Sequence, residues 1–323
     1  MVLTRRTIRT DSLNDNRMNN EMTPLKPLPE PSSILHVFLI ILLNLCKKIV
    51  FFNTYVRILA YITCLFALSS ITDVLPLPRY FTSNFFNQYF VKLGWFWTLF
   101  TSIPFVFMTS CTYCCGKKYM VYRHMTRLAI ATFFWFFWVN FFIYIEKIYG
   151  YCIERRDIQT KVICTSTGFH WHGFDLSGHA FLLIYSNLIL IEEARPILGW
   201  EGIQDLIRDE SYARNNKLSS FGPLRNLNYS EFNQLEKLYE KYLPFVRINF
   251  FLITCISVIW DIMLLSTILY FHSMPEKLLS GIISIIIWYL TYKFWYRMKI
   301  IALIPPGEGT FSYFSEKEKS DKN

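Results

Sequence analysis

The sequence predicts an all-α integral membrane protein with about six transmembrane helices. In composition, 53% of the 323 residues are hydrophobic and only 18% are charged, whereas soluble domains average about 45–50% apolar and about 25% charged residues. The apolar residues also cluster in runs that approach the ~20 residues a membrane span requires. The basic residues behind the net charge of +9 lie between these runs, which indicates membrane orientation and not nucleic-acid binding.

Six apolar runs have the length and composition of a transmembrane helix. A seventh, Ile34–Cys46, has only about 13 residues, which suits an interfacial or re-entrant helix better than a span, although a span stays open. In chain order, the six predicted spans are Val56–Val74, Phe90–Met108, Leu128–Ile145, Leu176–Ile191, Val246–Phe271 and Leu278–Ile300. Asp261 lies inside the fifth of these spans and is expected to pair with Asn187 or Asn140.

Polar segments flank the multi-pass membrane domain, which we place at residues 34–301. Residues 1–33 are rich in Asn, Pro and Arg and are expected to form a disordered cytosolic tail, and residues 302–323 a flexible cytosolic tail. The connection 192–243 is highly charged, and its stretch Tyr229–Tyr242 has helical apolar spacing. We expect an amphipathic helix on the cytosolic face there, which could also dock a cytosolic protein partner.

The distribution of Lys and Arg predicts the orientation in the membrane. The N-terminal side and the second and fourth connections are rich in both residues, whereas the first and fifth contain little besides Arg79 and Lys277. Because cytosolic loops have an excess of basic residues, we expect both termini in the cytosol and odd-numbered connections in the lumen or exterior. Cys152 and Cys164 share the third connection, where the compartment would permit a disulfide.

Two histidines are predicted to lie at one membrane face. His179 is at the start of the fourth span and His272 at the end of the fifth, and these spans run antiparallel. Ionisable residues at membrane depth are functional candidates, although both could be interfacial histidines without a role. Glu276, four residues after His272, could hold that imidazole in one tautomer, as the third member of a catalytic triad does.

The residues before His179 favour an anionic ligand. Gly178 lets a bulky ligand approach the backbone, and the start of a helix offers free N–H groups and a positive dipole end. Asp175 or Ser177 could equally be an ordinary N-cap. Two histidines suit phosphoryl transfer, because one can attack phosphorus while the other protonates the leaving oxygen, a proton transfer that contributes roughly 10²–10⁴ in rate.

Cations must offset the negative charge that develops on a reacting phosphate. Lys92, at the luminal start of the second span, is the best-placed substrate-binding candidate, although it could simply snorkel to the membrane surface. Weaker candidates in the third connection are Arg155, Arg156 and Lys161.

Four motifs resemble those of the fat storage-inducing transmembrane proteins, and they occur in family order across about residues 55–300. The family is similar to the lipid phosphatase and phosphotransferase superfamily, so the resemblance implies a lipid phosphatase-like helical bundle. The motifs are His172–Leu183 (HGFDLSGHAFLL) followed by Glu192-Glu193, Phe90–Trp95 (FVKLGW), Tyr270–His272 (YFH) and Trp288–Tyr296 (WYLTYKFWY).

The resemblance implies an endoplasmic-reticulum membrane enzyme with a luminal active site. Its expected reaction is hydrolysis of fatty acyl-CoA to acyl 4′-phosphopantetheine and adenosine 3′,5′-bisphosphate, in support of lipid-droplet formation and endoplasmic-reticulum lipid balance. The superfamily works without a bound metal, and we expect no metal and no cofactor. His170 and His172 are spaced as ligands, but two residues are too few for a metal site, and we expect a supporting role or none.

The superfamily pattern also implies roles for individual residues. Its Ser-Gly-His matches Ser177, Gly178 and His179, with His179 as general acid. Its nucleophilic histidine matches His272, and its orienting Asp falls on Glu276.

The chain departs from the superfamily at three places. Leu176 stands where the superfamily has Pro, and Ser266 where it has an Arg before the nucleophile. The Lys and Arg-Pro of its first motif have no counterpart, so Lys92 is our own inference for the phosphate-binding cation.

Two other functions are compatible with the sequence. The chain could be a non-enzymatic protein that binds neutral lipid such as triacylglycerol and promotes droplet budding, or a phosphatidate or lysophosphatidate phosphatase.

Overall fold

The computed structural model describes residues 34–75, 90–153, 155, 160–217, 222–298 and 303–313. Most of these residues are helical, as predicted, and two short strands, β1 (Tyr151–Cys152) and β2 (Trp171–His172), pair antiparallel. A π-helical segment (Tyr289–Phe294) and a 3₁₀ turn (Trp295–Arg297) extend the last helix. The helices are α1 (Ile34–Val50), α2 (Thr54–Val74), α3 (Gly94–Tyr113), α4 (Lys118–Tyr149), α5 (Lys161–Ser166), α6 (Gly178–Ala194), α7 (Gly202–Asn215), α8 (Tyr229–Tyr270) and α9 (Met274–Trp288).

Among the described residues, four helices are long and apolar enough to cross a membrane: α2, α4, α8, and α9 with its extension to Arg297. Each coincides with a predicted span, and α4 exposes large aromatic side chains such as Phe133 and Phe137 on its outer face, as expected of a membrane-contacting surface. The other two predicted spans coincide with α3 and α6. Because α6 has 17 residues and α3 contains six Ser or Thr, the count of six spans stays a prediction.

The helix α6 forms the centre of the bundle. Every residue from Ala180 to Ala194 is buried, and α6 packs against α3, α8 and α9. A helix that is apolar on all sides is stable when other helices surround it. Gly281 of α9 allows α2 to approach closely, because a Cβ atom there would lie 2.4 Å from Leu65. Small residues commonly have this role between transmembrane helices.

The helix α8 joins two elements that the sequence separates. The predicted amphipathic stretch Tyr229–Tyr242 and the predicted span Val246–Phe271 form one helix of 42 residues that continues through Pro244. Asn228 and Glu231 form a capping box at its start. At 1.5 Å per residue the helix is ~63 Å long, about twice the hydrocarbon thickness of a bilayer. Its first third, up to Leu243, belongs to the polar connection 192–243.

A polar cluster surrounds Asp261 inside the bundle. Its Oδ1 accepts hydrogen bonds from Asn187 Nδ2 at 2.8 Å and from the Tyr61 hydroxyl at 2.6 Å. Of the two predicted partners, Asn187 is therefore confirmed, whereas Asn140 donates to a carbonyl of its own helix. Arg57 Nη1 lies 3.5 Å from Asp261 Oδ2, so this partly exposed carboxylate has both hydrogen-bond donors and a cation beside it.

Residues 303–313, the described part of the predicted flexible C-terminal tail, pack against the bundle. The Thr310 N–H donates to the Tyr113 carbonyl at 3.0 Å, and the Tyr313 hydroxyl donates to the Pro196 carbonyl at 3.3 Å. Burial of Phe311 and Tyr313 favours this packing energetically. The remaining residues of both predicted tails lie outside the described residues.

Candidate active site

His272 lies in the turn between α8 and α9, with its side chain 20% exposed. Its φ of 54° falls in the left-handed region, which residues other than glycine rarely adopt. The next residue, Ser273, begins α9 with a capping box, in which Glu276 Oε2 accepts the Ser273 N–H at 2.9 Å. A strained conformation of this kind persists only where neighbouring groups fix it, and such residues cluster at functional sites.

His179 is half-buried in the first turn of α6, two residues after the N-cap residue of that helix. The buried Ser177 provides this cap, because its Oγ accepts the Ala180 N–H at 3.2 Å. Of the two N-cap candidates, Ser177 is therefore the one used. Gly178 borders open space, since a Cβ atom there would meet no other atom within 4 Å.

Glu276 connects the turn of His272 with the loop before His179. Its Oε1 accepts the Asp175 N–H at 3.0 Å, and its Oε2 accepts the Ser273 N–H at 2.9 Å. The His272 Nδ1 lies 3.9 Å from Oε2, which is longer than a hydrogen bond. One carboxylate thus fixes the backbone of both segments.

The segments that carry His179 and His272 meet at one end of the bundle. The rings of His179 and Phe271, the neighbour of His272, have centroids 6.0 Å apart. His179 interacts electrostatically with His272, Lys92 and Asp175. Lys92 is exposed in the turn just before α3. The antiparallel arrangement of α6 and α8 explains why residues almost a hundred positions apart share one end.

A small disulfide-bonded hairpin precedes the site. Cys152 and Cys164 form a disulfide with their Cα atoms 5.9 Å apart, as the predicted compartment permits. Tyr151 of β1 lies opposite His172 of β2, and the ring centroids of these two side chains are 5.4 Å apart. The loop that leads to Asp175 is therefore tied to the end of α4.

The other predicted candidates lie in or near the third connection. His170 accepts the Ile153 N–H with its carbonyl, and Arg155 is exposed. Arg156 and the side chain of Lys161 lie outside the described part of the chain. Within the described ranges, no group of three or more His, Cys, Asp or Glu residues could hold a metal ion.

Two polar residues near His272 were not singled out from the sequence. Asp73, in the last turn of α2, accepts the Met274 N–H with Oδ2 at 2.8 Å. Lys277 is 1% exposed and donates from Nζ to the Ile268 carbonyl at 2.7 Å. The sequence signals for these two residues are an acidic residue at the end of an apolar span and a Lys directly after Glu276.

Comparison with known proteins identifies the family. The family model described as fat storage-inducing transmembrane protein matches residues 78–153 and 145–292. A Drosophila melanogaster protein named acyl-coenzyme A diphosphatase FITM2 is 44% identical over 302 residues, which cover 92% of this chain and 71% of the relative. Proteins of that name from Xenopus laevis and Homo sapiens are 31% and 27% identical, over 79% and 76% of this chain and 86% and 85% of the relatives.

No solved structure matches the chain. The residues matched by the family model include Lys92, Asp175, His179, His272 and Glu276. With a family match over most of the chain and a relative at 44% identity, this protein belongs to the fat storage-inducing transmembrane protein family.

Proposed function

We propose that this protein is a fatty acyl-CoA diphosphatase that releases acyl 4′-phosphopantetheine and adenosine 3′,5′-bisphosphate. The observation that carries the proposal is the Glu276 carboxylate, which joins the backbone of Asp175 to that of Ser273 and so holds the two histidine segments together. The substrate class is supported by the relatives, which are named acyl-coenzyme A diphosphatases.

In the proposed mechanism, His272 is the nucleophile and needs no metal. Its Nδ1 faces Glu276, which favours the tautomer protonated at Nδ1 and leaves the Nε2 lone pair free for attack. A bond forms between Nε2 and one phosphorus while the anhydride P–O bond breaks. Protonated His179 donates its proton to the leaving phosphate oxygen.

Water completes the reaction by hydrolysing the phosphohistidine. Neutral His179 accepts a proton from this water, the new P–O bond replaces the P–N bond, and both histidines return to their starting states. Lys92, the N-terminus of α6 and the Ser177 hydroxyl are the groups that we expect to offset the negative charge on the phosphates. Gly178 supplies the space for their approach.

We also propose that the enzyme lies in the endoplasmic reticulum membrane with both termini cytosolic and its active site luminal. The distribution of Lys and Arg supports this orientation, and the Cys152–Cys164 disulfide suits an oxidising compartment. A glycosylation sequon inserted between these cysteines should be modified, and one placed at Asn323 should not. The reverse pattern would place both histidines in the cytosol.

The activity is tested with purified protein and a panel of substrates. Long-chain acyl-CoA, phosphatidate and lysophosphatidate are offered separately, and the products are identified by mass spectrometry. We expect equal amounts of acyl 4′-phosphopantetheine and adenosine 3′,5′-bisphosphate from acyl-CoA. Release of inorganic phosphate from the lipid phosphates, with acyl-CoA left intact, would instead identify a phosphatidate or lysophosphatidate phosphatase.

One further observation favours a second function, binding of neutral lipid such as triacylglycerol. A cavity of about 460 Å³ lies between α1, α2 and α8, and its size is within the ~300–1,000 Å³ that ligand sites span. Its lining is mixed: most residues are apolar, such as Leu264 and Ile268, and three are charged, namely Lys48, Arg57 and Asp261. Labelled triacylglycerol should bind the wild type and bind the cavity-filling variant Ala60→Trp less. Rescue of a droplet defect by a variant lacking both histidines would favour this function over the enzymatic one.

A further inference from the structure

We propose that Asp73 and Lys277 are positioning residues that hold His272 in its reactive conformation. This inference rests on the proposed function, because it assigns a role in orienting the nucleophile. The residues belong to different helices, α2 and α9, and each contacts the backbone on a different side of the His272 turn.

The turn needs such support because its conformation is unfavourable by itself. His272 has a φ of 54°, and a left-handed non-glycine residue persists only where surrounding contacts fix it. The turn also separates two helix ends, and each end leaves backbone groups without partners inside the helix. Contacts that satisfy those groups therefore stabilise the turn and the two helix ends together.

Lys277 supports the side that precedes His272. The Ile268 carbonyl belongs to the last turn of α8, and it accepts a hydrogen bond from Lys277 Nζ at 2.7 Å. A cation at a helix C-terminus satisfies a free carbonyl and interacts favourably with the helix dipole. Because Lys277 lies in the first turns of α9, this bond fastens the start of α9 to the end of α8 across the turn.

Asp73 supports the side that follows His272. Its Oδ2 accepts the N–H of Met274, the first residue of α9, at 2.8 Å, and a carboxylate at a helix N-terminus is electrostatically favourable. The charges of Asp73 and Glu276 both act on Lys277. Both carboxylates therefore favour the charged form of the buried Lys277, and Glu276 Oε2 also lies 3.9 Å from His272 Nδ1.

The effect on the reaction should appear in kcat and not in KM. The Lys277 ammonium and the Asp73 carboxylate both form hydrogen bonds with backbone atoms of the protein. Removing either side chain should therefore leave substrate affinity unchanged. It should let the imidazole move away from its aligned position. A misplacement of about 1 Å at a reacting group can cost roughly a hundredfold in rate, and we expect a fall in kcat of about tenfold to a hundredfold.

The test compares Lys277→Met and Asp73→Ala with the conservative variants Lys277→Arg and Asp73→Asn. The conservative pair keeps a donor for Ile268 or an acceptor for Met274 and should recover most of kcat. Lys293→Met is the matched control, because Lys293 pairs with Glu192 at 3.0 Å near the opposite end of α6. It should lower the melting temperature without changing kcat.

The outcomes separate this inference from the proposed function. Unchanged kcat in folded Lys277→Met and Asp73→Ala, or a loss no larger than that of Lys293→Met, would overturn the inference. Asp73 is exposed, so Asp73→Ala keeps the test decisive even where Lys277→Met does not fold. If His179→Ala and His272→Ala are inactive while these variants are active, only the inference fails. If the histidine variants retain activity, the proposed function fails as well.

Discussion

Replacement of Glu276 tests the connection between the two histidine segments. Glu276→Ala removes the acceptor of the Asp175 and Ser273 N–H groups, and hydrogen bonds to a charged group contribute roughly 1.5–3 kcal/mol each. The Glu276 side chain is 13% exposed, so water recovers part of that sum, and we expect a loss of roughly 3 kcal/mol in folding free energy. A tenfold change in rate corresponds to about 1.4 kcal/mol, so a similar loss at the transition state lowers kcat by about a hundredfold.

Glu276→Asp should fail to restore the wild-type rate, although the superfamily carries Asp at this position. The shorter side chain lacks one methylene, a difference of ~1.5 Å, so it cannot reach both amides. We expect kcat to fall by roughly tenfold, about half the energetic loss of Glu276→Ala.

The assay measures release of adenosine 3′,5′-bisphosphate from long-chain acyl-CoA by purified protein, with thermal unfolding followed in parallel. Glu210→Ala is the control, because Glu210 is 4% exposed and pairs with Arg214 at 2.7 Å in α7, far along the chain from the site. The control should lose stability and keep its kcat. Wild-type kcat in Glu276→Ala, in protein that remains folded, would refute the reasoning.

Three further predictions follow from the described contacts. Gly178→Ala should leave the melting temperature unchanged or raise it, because Ala favours a helix by up to ~1 kcal/mol relative to Gly and its Cβ atom would meet no other atom. It should nevertheless lower activity, because the substrate needs that space. Activity equal to wild type would contradict this role of Gly178. Cys152→Ser should cost about 2–4 kcal/mol of stability and raise KM more than it lowers kcat, because the loop that leads to Asp175 would lose its tie to α4. A pure kcat effect would contradict this role of the loop in substrate binding. Arg127→Met should destabilise the protein by about 3–5 kcal/mol because it leaves the buried Glu193 without its bidentate partner at 2.9 and 2.6 Å, and a thermal melt equal to wild type would refute this.

The sequence predicts the apolar helices well because burial in a membrane imposes a simple pattern. Runs such as Val56–Val74 coincide with helices of the structure, here Thr54–Val74. Hydropathy does not indicate whether a helix continues beyond its apolar part into water. It therefore separates Tyr229–Tyr242 from Val246–Phe271, although both belong to one helix. It also gives no signal for the packing of residues 303–313, which depends on contacts with Tyr113 and Pro196 far away in the sequence.

Part of the candidate site can also be predicted from the sequence. Antiparallel spans and the family motifs indicate His179 and His272, and the spacing from His272 indicates Glu276. The sequence does not reveal that Glu276 bonds to the backbone of Asp175, a hundred and one residues away. The contact of Asp73 with Met274 is likewise tertiary, because these residues are far apart in the sequence. Lys277 reaches Ile268 over a shorter separation, but the sequence does not show that its side chain turns back toward α8.

The central claim is that His179 and His272 act together on the diphosphate of fatty acyl-CoA. The most direct measurement is acyl-CoA cleavage by purified wild type, His179→Ala and His272→Ala, with folding verified by thermal unfolding. We predict that each single variant loses at least a hundredfold in kcat, in keeping with the roughly 10²–10⁴ that proton transfer contributes, and that the double variant loses no more than the worse single variant, because the two residues serve one reaction. Wild-type cleavage by either folded variant would contradict the claim.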